Sequence, residues 1–349
     1  MHRLLLLGTG GIAGQHMTEF GLLEDCRIVA CADAIPGRAQ AFAEQNEIGH
    51  AFEGLETALQ WGAFDAAINA TPDGVHKATT LALLAAGKHV FCEKPLAPTY
   101  AEALEMTEAA EQAGLINMVN LTYRNSPALQ MARQMVEAGE IGELRHVEAS
   151  YRQSWLVSKA WGDWRSLDTW LWRLSTSHGS TGVLGDVGIH ILDFATFGAG
   201  QDIVSLHADL ATFPKAEGDR IGAYTLDAND SVAMTVRFSS GALGTVLATR
   251  YATGHLNELT LKLHGTRGAL LVETDGKQSL LKGCFGEDID RAQWRAIELL
   301  AVKRNARRFV DALASGVNGE PSFHRAADMQ KLIDAAFESS ATGRAAITG

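Results

Sequence analysis

Near its N-terminus the chain passes from an apolar run, Leu4 to Leu7, straight into Gly8-Thr9-Gly10-Gly11-Ile12-Ala13-Gly14. Consecutive leucines without polar alternation suit a parallel strand buried on both faces. The glycines restrict what can follow. Gly8 permits a tight turn, Gly10 lets the backbone approach a pyrophosphate, and the small Ala13 lets the next helix pack on the strand with its N-terminus toward the phosphates. A second strand, Arg27 to Ala32, ends at Asp33, about 20 residues further on, where a carboxylate can take the hydroxyls of an adenosine ribose. The pattern predicts a doubly wound parallel sheet with a dinucleotide site made by Gly8, Gly10, Gly11, Ile12, Ala13 and Asp33. The charge of Asp33 repels the 2′-phosphate of NADP and favours NAD, while Arg38, one turn into the following helix, offsets part of that repulsion and keeps NADP as the second candidate.

Two further strands end in loops of the same kind. Phe64 to Ala70 runs into Thr71-Pro72-Asp73-Gly74 with His76 just inside a helix, and Lys88 to Cys92 runs into Glu93-Lys94-Pro95. Ala70, Thr71, Pro72, His76, Glu93 and Lys94 thereby fall at the carboxyl edge of the sheet, where open α/β sheets hold ligands, and are expected around the cofactor. After a helix from Thr99 to Ala113 and a strand from Ile116 to Leu121 the pattern changes. Strand-like segments at Leu144–Gln153, Ile203–Phe213, Asp230–Phe238, Gly244–Tyr251, Glu258–Gly265 and Ala269–Glu273 alternate polar and apolar residues, as an antiparallel sheet covered on one face does. A boundary near Thr122 to Arg124 is expected, giving domains 1–122 and 123–349, with the C-terminal helix, about Ala326 to Thr342, packing back on the first domain.

The stretch Gly185-Asp186-Val187-Gly188-Ile189-His190-Ile191-Leu192-Asp193 is apolar apart from Asp186, His190 and Asp193. In an α-helix those three fall in one line along one face. Such a line either faces a wet cleft or is an internal network whose members satisfy one another. Upstream lies an insert with Trp155, Trp161, Trp164, Trp170 and Trp172. Indole faces suit the C–H faces of sugars, and for most of these rings the competing reading is a hydrophobic lid or subunit contact.

A formal net charge of −11 without any basic block argues against nucleic-acid or anionic-membrane partners. Cys26, Cys31, Cys92 and Cys284 form no C-x-x-C pair, so neither a zinc site nor a disulfide framework is indicated, and no metal is expected. The leucine run is too short for a signal peptide and nothing is apolar enough to cross a bilayer, which predicts a cytoplasmic protein without membrane attachment.

Taken in order, Gly8-Thr9-Gly10-Gly11-Ile12-Ala13, Asp33, Ala70-Thr71-Pro72 with His76, Glu93-Lys94-Pro95, Trp172-Arg173, the Asp186-x-Gly188-x-His190 helix and the C-terminal Arg308-Phe309-Val310-Asp311-Ala312 resemble the Gfo/Idh/MocA oxidoreductases. The family is named for glucose-fructose oxidoreductase and inositol dehydrogenase. The resemblance implies an N-terminal Rossmann domain and a C-terminal α/β domain with a large, mostly antiparallel open sheet that carries a homodimer or homotetramer contact. It implies hydride transfer between a secondary hydroxyl of a carbohydrate or cyclitol and the nicotinamide of NAD. Lys94, Asp186 and His190 would be catalytic: His190 takes the hydroxyl proton, Lys94 hydrogen-bonds the same oxygen and Asp186 orients the substrate or His190, with Asp193 behind it. Arg124, Trp172 and Arg173 join them as substrate-binding candidates, and Asn125 is a weaker one. Gly179-Ser180-Thr181-Gly182 replaces the family's run of glycines, and hydroxyls there would narrow the pocket or bond the substrate. Two other readings keep the fold: an NAD-dependent glycoside hydrolase acting by transient oxidation and elimination, and a non-catalytic nucleotide-binding sensor.

Overall fold

The leucine run is the centre of the first sheet. In the computed structural model, which describes residues 1–349, Leu4, Leu5 and Leu6 are fully buried in β1 (His2–Leu7). There follow α1 (Ala13–Gly21), β2 (Cys26–Asp33), α2 (Arg38–Gln45), β3 (His50–Glu53), α3 (Leu55–Trp61), β4 (Ala66–Asn69), α4 (His76–Ala85), β5 (His89–Cys92), α5 (Tyr100–Gln112) and β6 (Asn117–Val119). The six strands are parallel in the order β3-β2-β1-β4-β5-β6. That order reverses between β1 and β4, the crevice where such sheets bind ligands. Gly8 sits there at φ +90°, and a Cβ on it would lie 2.5 Å from the carbonyl oxygen of Ala70. Only glycine lets the loops after β1 and β4 run side by side.

The second unit contains α6 (Pro127–Glu137), β7 (Leu144–Gln153), α7 (Asp168–Leu171), α8 (Ile189–Ala199), β8 (Ile203–Ala211), a short hairpin of β9 (Arg220–Ile221) and β10 (Tyr224–Thr225), β11 (Ser231–Phe238), β12 (Leu243–Thr249), β13 (Asn257–Gly265), β14 (Gly268–Thr274), β15 (Ser279–Phe285) and β16 (Arg295–Ala296). With a last strand, β17 (Ala346–Ile347), they form a nine-stranded sheet ordered β16-β15-β14-β13-β7-β12-β11-β8-β17. Every pairing is antiparallel except β7 with β12. Alternation sets the faces: Val232, Met234, Val236 and Phe238 of β11 are buried, while the residues between them are not. Helix α8 packs on β7, β12 and β13. It comes close because Gly198 faces Leu261, whose Cδ2 would be 2.3 Å from an added Cβ.

The first boundary falls after Leu121, next to the expected split at residue 122, but a later segment returns to the first unit. The first unit is Met1–Leu121 with Lys303–Gln330, and the second is Thr122–Val302 with Lys331–Gly349. The returning segment holds α9 (Asn305–Ser315) and the start of α10 (Phe323–Thr342). Ala306, Phe309, Val310 and Ala312 form one apolar stripe of α9 buried in the first core, with Phe309 edge-on to Phe91 at 5.4 Å. The same segment serves the edge of β6: Val119 N–H donates to Pro321 O at 2.9 Å, and Asn117 Oδ1 accepts from Phe323 N–H at 2.9 Å. An apolar flank and a bare strand edge are thus covered by residues distant in sequence. No helix is long and apolar enough to cross a membrane.

Candidate active site

In the first unit the glycine loop is bare where a dinucleotide needs it to be. A Cβ added to Gly10 or Gly11 would meet nothing within 4 Å, and no side chain caps the N-terminus of α1 at Ile12. The first-turn amides there are suited to an anion. Asp33 lies at the end of β2, and its Oδ2 accepts from Thr9 N–H and Thr9 Oγ1, both at 2.9 Å, while Oδ1 accepts from Ile35 N–H at 2.9 Å. Burial alone would raise its pKa, but these donors and Arg38, 3.8 Å away, hold it below the ordinary carboxylate range. The carboxylate is therefore an anion braced against the glycine loop. These residues fit NAD: the loop and the N-terminus of α1 would hold the pyrophosphate, and Asp33 the ribose.

The side chains of His76 and Glu93 are engaged within the protein. The His76 ring is fully buried, with Nδ1 2.8 Å from Pro95 O and Nε2 2.7 Å from Thr71 O, so neither nitrogen is left for a ligand. Thr71 Oγ1 donates to Asn69 Oδ1 at 2.7 Å. Glu93 Oε1 accepts from Asn120 Nδ2 at 2.7 Å and lies 2.9 Å from His16 Nε2. Burial pushes the Glu93 pKa up, and His16, Asn120 and the nearby Lys94 charge pull it further down, below the ordinary value. Both side chains thus fix the loop that carries the half-buried Lys94. Pro72 is exposed and Ala70 buried at the same sheet edge.

In the second unit the expected α-helical line does not form. Leu184–Gly188 is a π-turn that runs into α8. Two glycines make room for it: a Cβ on Gly185 would strike the Thr181 side chain, and one on Gly188 would lie 2.8 Å from Leu184 Cδ1. The wider turn separates the three ionisable groups into three environments. Asp186 is half-buried, with Oδ2 3.1 Å from Arg250 Nη2 and 3.7 Å from Arg173 Nε. His190 is buried against two phenols, with Tyr123 edge-on at 5.1 Å and Tyr151 at 6.4 Å. Asp193 is the internal member. Arg124 Nε and Nη2 donate to its two oxygens at 2.7 and 2.6 Å, and the guanidinium stacks on Phe197 at 3.8 Å. Arg124, expected to bind substrate, is a buried brace between the segment after Leu121 and α8.

The phenols are held by a closed ring of hydrogen bonds. Tyr151 OH donates to Asn257 Oδ1 at 2.8 Å, Asn257 Nδ2 donates to Tyr123 OH at 3.1 Å, and the two phenol oxygens are 2.6 Å apart. With Tyr151 already donating to Asn257, the proton between the phenols belongs to Tyr123. Burial drives both phenol pKa values upward, Tyr151 the further, so the wall beside His190 stays neutral. Arg250 is fully buried: Nη1 donates to Arg173 O at 3.1 Å and the guanidinium lies over Trp155 at 4.9 Å. Burial lowers its pKa, which the neighbouring Asp186 opposes. None of Tyr123, Tyr151, Asn257 and Arg250 was singled out from sequence. Arg250 did leave a signal, because Gly244, Val246 and Ala248 form the buried row of its strand and Arg250 is the next residue in it.

Most of the tryptophan insert is core. Trp155 and Trp164 are buried with Leu156, Leu171, Leu174 and Leu226, and Trp161 and Trp170 pack against them. Trp155 Nε1 donates to Gln153 Oε1 at 3.2 Å, Trp164 Nε1 to Leu156 O at 3.1 Å and Trp170 Nε1 to Trp161 O at 3.3 Å. Trp172 stands apart, half-buried under the Arg173 guanidinium at 4.5 Å. The Ser180 hydroxyl donates to Arg173 O at 2.6 Å and accepts from Gly182 N–H at 3.0 Å. It secures the turn before the π-segment. No three His, Cys, Asp or Glu side chains converge at metal-binding spacing.

A family model described as oxidoreductase family, NAD-binding Rossmann fold, matches residues 2–121, and one described as GFO/IDH/MocA C-terminal domain matches residues 129–271. Levoglucosan dehydrogenase of Pseudarthrobacter phenanthrenivorans is 29% identical over 307 residues, covering 78% of this chain and 77% of that one. Inositol 2-dehydrogenase of Rhizobium meliloti is 26% identical over 347 residues, covering 98% of each chain. A solved structure of levoglucosan dehydrogenase in complex with NADH superposes with a TM-score of 0.88 at 26% identity, covering 100% of this chain and 99% of that one.

The geometry sets two expectations. Asp193→Ala leaves the Arg124 guanidinium buried without its carboxylate and should lower the unfolding free energy by about 3–5 kcal/mol in urea titrations, whereas Arg124→Met combined with Asp193→Leu should recover most of it; a single-variant loss below about 1 kcal/mol would show that the pair braces nothing. Calorimetric titration should find NAD binding more tightly than NADP, with Asp33→Ala narrowing the difference, and the opposite order in the wild-type protein would remove Asp33 from cofactor choice.

Proposed function

Because this chain belongs to the Gfo/Idh/MocA oxidoreductases, we propose that it is an NAD-dependent dehydrogenase acting on a carbon that bears a secondary hydroxyl in a sugar or cyclitol. The levoglucosan and inositol named for its relatives bracket that substrate class. When bound, NAD accepts or returns the hydride at C4 of its nicotinamide. The observation that carries the reading is the pairing of unlike environments on one short segment: a half-exposed Asp186 fixed by arginines, and four residues later an imidazole walled by neutral phenols. His190 takes the hydroxyl proton as the hydride leaves and returns it in the reverse direction. Lys94, presented by a loop that Glu93 and His76 secure, donates a hydrogen bond to the same oxygen and stabilises its developing negative charge. Asp186 accepts from a neighbouring substrate hydroxyl and sets the orientation of the ring, with Trp172 and Arg173 beside it.

Self-association through the face of the nine-stranded sheet away from α8 belongs to the same reading. Cross-strand pairs there, such as Lys262–Glu148 at 3.1 Å and Arg152–Glu258 at 3.4 Å, leave a half-exposed sheet surface. Four buried, unpaired thiols suit a reducing compartment, and we place the protein in the cytoplasm.

Purified protein mixed with NAD and, in turn, levoglucosan, myo-inositol, scyllo-inositol and D-glucose should form NADH with at least one of them. Lys94→Met should then lower kcat by about 100-fold or more while NADH affinity stays near that of the wild type. Unchanged turnover in that variant would misplace the site, and cleavage of a nitrophenyl glycoside without net NADH would replace the dehydrogenase by a hydrolase. Sedimentation velocity should return a dimer or tetramer, and a monomer at micromolar concentration would dispose of the sheet contact.

A further inference from the structure

The His76 contacts constrain its charge. A neutral imidazole carries one N–H and one lone pair, and a lone pair cannot face a carbonyl oxygen at hydrogen-bond distance without repulsion. Here both nitrogens face carbonyl oxygens, Pro95 O at 2.8 Å and Thr71 O at 2.7 Å, in a ring with no exposure to solvent. Both contacts are attractive only when both nitrogens carry protons.

Neither carbonyl is free to turn away. Thr71 is anchored by its hydroxyl to Asn69 Oδ1, while Asn69 Nδ2 donates to Thr79 Oγ1 at 2.8 Å and Thr80 Oγ1 at 3.0 Å. Pro95 follows Glu93 and Lys94, and Glu93 is held by His16 and Asn120. The titratable groups that face the ring are Asp73, in the turn before α4, and the buried Cys92 at the end of β5. Burial opposes the charge, Cys92, Asp73 and the Pro95 carbonyl favour it, and the balance lifts the ring to about 10.

We propose that His76 is a permanently protonated strap: an imidazolium whose two N–H groups tie the loop after β4 to the loop after β5 and so position Lys94. Its consequence for turnover rests on the dehydrogenase reading, whereas its charge state does not. The imidazolium supplies two charge-assisted donors where a neutral side chain of similar size supplies one well-directed donor at most. Losing one tie lets the loop that carries Lys94 drift, and a displacement of about 1 Å at a reacting group costs on the order of 100-fold in rate.

Selective 15N-histidine labelling tests the charge near pH 8, about 1.5 units above the ordinary imidazole pKa. His16 and His76 are both fully buried, and His16→Gln and His76→Gln samples tell their signals apart, so either variant suffices for assignment. Both His76 nitrogens should carry a bonded proton at that pH, where an ordinary imidazole is neutral. A bare nitrogen on His76 near pH 8 would overturn the proposal. For positioning, His76→Gln should lower kcat about tenfold to 100-fold with NADH affinity nearly unchanged, and His76→Asn serves if the first variant does not fold. A folded variant with wild-type kcat would overturn the positioning role. Failure of the dehydrogenase reading shows itself differently, as wild-type protein that turns over none of the four hydride donors, and the NMR result then still decides the charge.

Discussion

The bidentate ion pair of Arg124 with Asp193 sets the rotation of the helix on which His190 stands. Both side chains are almost completely buried, so neither can swing out to water, and an unpaired partner would be costly. With Asp193 locked, the rest of α8 has one orientation: its apolar positions meet the sheet through Gly198, and His190 meets the phenols of Tyr123 and Tyr151. Tyr123 is the chain neighbour of Arg124. One short segment thereby supplies both the brace and the wall, which couples the aim of the imidazole to the packing of the unit as a whole.

Much of this architecture is written in local pattern. The glycine loop, Asp33 and the strand-end motifs specify the parallel sheet, and polar–apolar alternation locates β7, β8 and β11 to β14 to within about two residues, the usual ambiguity of element ends. The features that escaped are those that depend on partners distant in the chain. β15, whose alternation is weak, and the two-residue β17 become strands by pairing with β14 and β8. Nothing local in α9 says which core its stripe will enter. The line of Asp186, His190 and Asp193 rests on a period of 3.6 residues per turn, and the π-turn enabled by Gly185 and Gly188 breaks that period where the chemistry is expected. Arg124 and His76 have the residue types of ligand-binding groups, but only coordinates show that their donors are already engaged within the protein. The tryptophans follow the same rule: a cluster that resembles a sugar platform in composition closes on itself, leaving Trp172 under Arg173, whose guanidinium faces Asp186.

The polar groups of the second unit share an origin in sheet geometry. Tyr151 and Gln153 lie on the buried row of β7, and Arg250 extends the buried row of its parallel neighbour β12. Parallel pairing brings the carboxyl ends of these two strands together, so their polar tips collect at one edge of an otherwise antiparallel sheet. Asn257, paired with Gln153 across β7 and β13, completes the group. A single parallel pairing therefore gathers at one place the residues that hold Asp186 and wall His190, as the parallel strands of the first unit gather theirs around the glycine loop.

The return of residues 303–330 to the first unit bears on how the molecule comes into being. A chain made from its N-terminus completes all six strands of the parallel sheet by Val119, yet Phe309 and Val310, which finish that core, emerge only after the whole nine-stranded region apart from β17. Until then the flank beside Phe91 is an open apolar surface on a nascent protein, and β6 waits for Pro321. The nucleotide-binding half is thus the first to be started and among the last to be finished. Loss of the chain from Lys303 onward would strike the half that contains none of the intervening sequence, and chaperone capture during synthesis has an obvious target there.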